Sequence, residues 1–190
     1  HEFGHALTSR KLTGVNPSVK LWIMGGLAYP NTHPSRRESF WITWGGPLAG
    51  LAFFVVILIA CGLYYGPETG GRIIAWLVYP NEQVLNYEAG KTLWSMNNAL
   101  FQLLRSLVFV NFWWSLVNLL PVFPLDGGQI YASMETSQRK VFQVGLVTGA
   151  VVAVIGLLVF KSIFVAALFG YLAYQNHQRL QQITGGGGFR

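Results

Sequence analysis

The chain opens on His1-Glu2-Phe3-Gly4-His5, an H-E-x-x-H pattern. On an α-helix, positions i and i+4 lie about 40° apart around the axis and about 6 Å apart along it, so both imidazoles can share one metal ion. Neutral imidazole suits zinc, and two such ligands leave room for a third protein ligand and a water, the open arrangement of a catalytic site. Glu2 can reach that water rather than the metal. It would take the water's proton while the ion polarises the carbonyl under attack, then return the proton to the leaving amine. Alone, the same five residues also describe a helix with polar side chains facing solvent.

A second constellation runs from Asn118 through Pro121 and Pro124 to Asp126-Gly127-Gly128. Alone, Pro-x-x-Pro followed by Asp-Gly-Gly is turn chemistry that ends a helix. Its location adds a second meaning, because an ionisable residue against an apolar segment is costly unless paired. A carboxylate is a competent zinc ligand, and Asp126 is the only aspartate in the chain, which makes it the candidate third ligand. The two prolines unwind backbone that a membrane tolerates only where it lines a protein-walled or watery cavity. Asn118 has two readings, an oxyanion donor and a helix cap.

The elements that must position these residues follow from composition. The 190 residues are 52% hydrophobic and 11% charged, and the charge deficit points to a membrane protein. Residues 48–63, 107–120 and 141–160 carry no charge at all, more apolar surface than so small a soluble shell can cover. The segment 40–63 is long enough, at roughly 36 Å as a helix, to cross a hydrocarbon core of about 30 Å with tilt. Segments 99–120 and 141–160 are further spans, and 162–174 is a shorter apolar stretch. Arg105 is placed to snorkel, and Asn111 to face other helices. Between the first motif and position 40, turn residues and a weak alternation through Val19, Leu21 and Ile23 predict one or two short strands, with Gly25-Gly26 at a bend. Residues 64–98 read as a polar loop, in which 73–79 could lie on the membrane surface; this loop is too short for a PDZ-sized domain.

The expected fold is therefore mainly α, a polytopic transmembrane helical bundle with a short β-sheet or hairpin after the H-E-x-x-H helix. Residues 1–131 form the expected metalloprotease core, 132–180 the C-terminal membrane helices and 181–190 a disordered tail. A start inside a motif, without an initiator Met, reads as a fragment lacking the earlier part of the first helix. Arg10, Lys11, Lys20, Arg36 and Arg37 crowd the segment before the first full span, while 64–98 is more acidic, so the positive-inside rule puts the first loop in the cytosol. Two spans later, 121–140 returns to that side, which brings both motifs to the cytoplasmic face. The net charge of +6 is sorted beside apolar segments rather than onto an aromatic-interleaved basic face, so no nucleic-acid partner is expected. A single cysteine, Cys61, excludes an internal disulfide and a cysteine-based zinc site. His33 and His177 read as loop and interfacial residues.

Taken in order, H-E-F-G-H, then G-G-P-L-A-G at 45–50, then N-L-L-P-V-F-P-L-D-G-G at 118–128 resemble the site-2 protease family of intramembrane metalloproteases. The resemblance covers 1–131, and more loosely the C-terminal spans. It implies one Zn²⁺ held by His1, His5 and Asp126, with Glu2 as the catalytic acid and base. It also implies a transmembrane protein substrate within the lipid bilayer and a catalytic side facing the cytosol. Gly25 and Gly26 match a glycine pair on an edge strand that would pair with an unwound substrate. Many members of the family have Asn where Gly50 stands, a contribution absent here or supplied by Asn118; Gly46 and Gly50 themselves read first as close helix packing. Two other readings stay open: a membrane metal transporter, whose ligands would be strung along a permeation path, and a catalytically idle zinc-binding relative, which would tend to lose Glu2.

Overall fold

The computed structural model describes residues 1–22, 25–29, 33–78 and 98–185. Helix α1, Glu2–Thr13, has an acid in its first turn and Arg10 and Lys11 in its last, matching the helix dipole at both ends. It stops at Gly14, whose φ of 72° is a left-handed conformation that glycine adopts without strain. Strands β1, Ser18–Trp22, and β2, Gly25–Tyr29, pair antiparallel, with Ser18 opposite Tyr29 and Trp22 opposite Gly25.

Helix α2, Arg36–Tyr65, begins on a reciprocal cap: the Ser35 N–H donates to Glu38 Oε2 at 2.7 Å and the Glu38 N–H to Ser35 Oγ at 3.3 Å. That Ser-x-x-Glu cap starts the helix four residues before the expected span at 40–63.

The chain divides into two compact units. In Leu48–Ser115, the later part of α2 is followed by α3, Glu68–Val78, and α4, Asn98–Phe109. The expected loop at 64–98 is thus corrected. Gly70 and Gly71 do not break α3, because Ile73, Trp76 and Leu77 bury one face of it among Phe54, Ile57, Cys61 and Val108. These three side chains lie in that core. Residues 79–97 of the expected loop lie outside the described residues. After α4 the helix continues through a π-helical turn, Val110–Trp114, into α5, Ser115–Asn118. Asn111 lies on the side of its helix that meets Gly50 of α2, and its Nδ2 donates to Leu107 O one turn back at 2.8 Å. Arg105 stacks 5.3 Å from the centre of the Trp76 ring.

The second unit, Glu2–Pro47 with Leu116–Arg190, contains α1, the hairpin and three further helices. These are α6, Asp126–Met134; α7, Gln138–Leu158; and α8, Ile163–Gly185. Helices α7 and α8 form an antiparallel pair in which Gly149 lies against Ala173 and Gly156 against Val165, small residues that let two backbones approach. Val122, Phe169 and Leu172 form the buried cluster of this unit. Helix α8 runs well beyond the expected stretch 162–174 and takes in 181–185 of the expected disordered tail. Its polar end is laced by side-chain bonds such as Thr184 Oγ1 to Leu180 O at 3.0 Å. Residues 186–190 lie outside the described residues. Among the described residues two helices, Arg36–Tyr64 and Gln138–Leu158, are long and apolar enough to cross a membrane.

Candidate metal centre

Helix α1 sets His5 one turn beyond His1, and two features of α2 fix the His5 ring. Nδ1 lies 2.8 Å from the Ile42 carbonyl oxygen, which can only accept, so Nδ1 carries the proton and Nε2 is left with its lone pair. Gly46 lies against the same imidazole, so closely that a Cβ there would overlap Nε2 and the ring carbons beside it.

Asp126 reaches the site from a turn rather than a helix face. Residues after α5 fold back through bonds from Val122 N to Leu120 O at 2.7 Å and from Leu125 N to Val122 O at 2.8 Å. The Phe123-Pro124 peptide within that turn is cis. Asp126 is then the first residue of α6, where a carboxylate complements the positive end of the helix dipole. Gly127 packs on the carbonyls of Leu119 and Leu120, and Gly128 on the backbone of Val122 and Phe123. Any larger residue at either position would push the start of α6 off its own turn.

His5 Nε2 and Asp126 Oδ1 lie 3.5 Å apart, with the two side chains only 11% and 10% exposed. Ligand atoms of His1, His5 and Asp126 all fall within 4.8 Å of one another, a group able to hold a metal ion. With Nδ1–H committed to Ile42, a neutral His5 turns a lone pair toward a carboxylate oxygen, an arrangement that a cation between them favours. A proton does this in part. Burial opposes charge on His5, but the hydrogen bond and charge of Asp126, the Ile42 carbonyl and the charge of Glu2 outweigh it and hold the imidazole above its ordinary value. A metal ion fits the same place. Two atoms each about 2.1 Å from a tetrahedral zinc lie about 3.4 Å apart, and two imidazoles with a carboxylate are a zinc donor set with a fourth position left open.

Glu2 is half-buried at the start of α1, its charge acting on His5. Asn118 is buried as the last residue of α5 and is not one of the three clustered residues. Gly25 and Gly26 lie on β2, opposite Trp22 and Leu21 of β1. His33 is exposed ahead of α2, and His177 meets Gln181 on α8 at 3.0 Å; neither joins the cluster. Sequence reasoning missed Ile42, whose contribution is a backbone carbonyl, and took Gly46 for a packing glycine. What Gly46 packs against is the imidazole, whereas Gly50 meets the Ser115 hydroxyl.

An H-E-x-x-H helix joined by a carboxylate from a distant turn, in a chain with two helices fit to cross a membrane, is the arrangement of a membrane metallopeptidase. The family model of peptidase family M50 matches residues 1–160, and the chain belongs to this family, that of the site-2 proteases. No curated protein and no solved structure matches the chain.

Proposed function

We propose that this chain is a zinc endopeptidase that hydrolyses peptide bonds of membrane-spanning proteins at a site near the cytoplasmic face of a bilayer. The observation that carries the reading is the approach of His5 Nε2 to Asp126 Oδ1, with Nδ1 already held by Ile42. A solvent-facing helix would not bury its second histidine against the only aspartate in the chain. Zn²⁺, when bound by His1, His5 and Asp126, lowers the pKa of a water molecule and polarises the scissile carbonyl. Glu2 takes the proton from the attacking water and delivers it to the amine nitrogen as the peptide bond breaks. Asn118 donates a hydrogen bond to the oxygen that gains charge during attack. The substrate must be unwound, because a helix hides its carbonyls, and an extended segment adds to β2 at Gly25 and Gly26.

The test is zinc analysis with cleavage of a reporter transmembrane substrate. Glu2→Gln is expected to keep zinc and lose about 10²- to 10⁴-fold in rate; equal cleavage by both proteins overturns the mechanism. Asp126→Ala is expected to lose zinc while His33→Ala and His177→Ala keep it. Unchanged zinc in Asp126→Ala refutes the ligand assignment.

A further inference from the structure

We propose that Asn176 and Arg179, on the C-terminal helix α8, are positioning residues that hold the turn bearing Asp126. The proposal rests on the zinc reading above and extends it to a helix that supplies no ligand. Asn176 is wholly buried, and its Nδ2 donates to Phe123 O at 2.7 Å and to Leu172 O at 2.8 Å. Leu172 is one turn back on α8, so the bond that reaches beyond the helix is the one to Phe123. The Asn176 Oδ1 lies against Gly145 of α7 and has no hydrogen-bond partner among the described residues. Burying an amide with its oxygen unsatisfied costs stability that an apolar side chain would not. The group is explained by what its donors hold.

Arg179 grips the same residue from the next turn of α8. Its guanidinium lies 4.4 Å from the centre of the Phe123 ring and 5.8 Å from that of Phe142, which itself meets Phe123 edge-on at 5.9 Å. Phe123 is thus held at its carbonyl and at its ring, three residues before Asp126. The path onward is short: Leu125 N donates to Val122 O, Gln129 Nε2 to Pro124 O at 2.9 Å, and Gly128 leaves no slack against the Phe123 backbone. A displaced Phe123 therefore moves the first turn of α6 and the Asp126 carboxylate with it.

The test uses the full chain in detergent micelles, with zinc affinity measured against a chromophoric chelator and the visible spectrum of the Co²⁺-substituted protein. Asn176→Ser keeps a hydroxyl able to bond Leu172 O but too short for Phe123. It is expected to weaken metal binding about ten- to a hundred-fold, as the loss of a partner outside the ligand set does. It is also expected to alter the Co²⁺ bands at full loading and lower kcat with KM unchanged. Arg179→Leu should move the same readouts less. A folded Asn176→Ser with wild-type affinity and Co²⁺ spectrum overturns the proposal, since glue between helices would alter the melting temperature alone. If Asn176→Ser does not fold, Arg179→Leu decides, and its unchanged affinity and spectrum overturn the proposal. Asp126→Ala separates the two readings: Co²⁺ binding there equal to wild type overturns the zinc assignment itself, and this proposal with it.

Discussion

At the scale of single residues, the candidate centre depends on a hydrogen atom as much as on the three side chains that could hold a metal. Gly46 has only hydrogen where every other residue has a Cβ, and the His5 ring occupies that space. Gly46→Ala is expected to tilt the imidazole off Ile42 and weaken zinc binding about ten- to a hundred-fold, read by chelator competition. Gly71→Ala is the control: nothing lies within 4 Å of its added methyl, so it should bind zinc normally and gain up to about 1 kcal/mol of helix stability. Equal zinc affinity in both variants would show that Gly46 does not shape the site. The contrast also explains what was legible. The proximity of His1 and His5 could be read from spacing, because helix periodicity puts positions i and i+4 on one face with no knowledge of the rest of the chain. The place of Gly46 could not, because its partner lies on another helix, far away in sequence.

At the scale of elements, the misread boundaries share one cause. Breakers and polar residues are local signals, whereas tertiary packing and side-chain caps decide where an element ends. Gly70 and Gly71 in α3 were overruled by the buried face of Ile73, Trp76 and Leu77. The start of α2 was set by Ser35 and Glu38, a cap that an apolar count starting at 40 does not register. Beyond Tyr174, α8 continues because Asn176 and Arg179 have partners on the Phe123 turn. The connection between α6 and α7 has a pH signature of its own. The Ser137 N–H donates to Glu135 Oε1 at 3.0 Å, and Lys140 Nζ lies 3.5 Å from Oε2, which together hold the Glu135 carboxyl below its ordinary value. A carboxyl depressed by folding contributes stability above its unfolded pKa and loses it as pH falls through the folded one. Acid denaturation should therefore be slightly less steep in Glu135→Gln across the carboxylate range; superimposable curves would show that the contact adds nothing.

At the scale of the whole molecule, the apolar faces ask for lipid. Val147, near the middle of α7, is 62% exposed, as are Val151 and Val154 to about half. Val147→Lys puts a charge on that face at a cost of about 2.5–3.5 kcal/mol at a bilayer centre. Its yield in the membrane fraction is expected to drop sharply, while Val147→Leu is neutral; equal yields would mean that α7 is not a lipid-facing span. The broad plan was legible because charge depletion is a property of long segments and needs no contacts. The division of the chain between its two units was not, since α2 contributes to both and carries no change of pattern at the point of division.

The connection between α7 and α8 has a consequence for the medium around it. Leu158, Val159, Phe160, Ile163 and Phe164 are each more than two-thirds exposed, and Lys161 is the only charge among them. Five large apolar side chains beside one ammonium are a tip that an apolar medium favours over water. The same hairpin that carries this tip packs α8 along α7 at Gly149 and Gly156, so the helix that grips Phe123 and the apolar tip belong to one closed piece of structure.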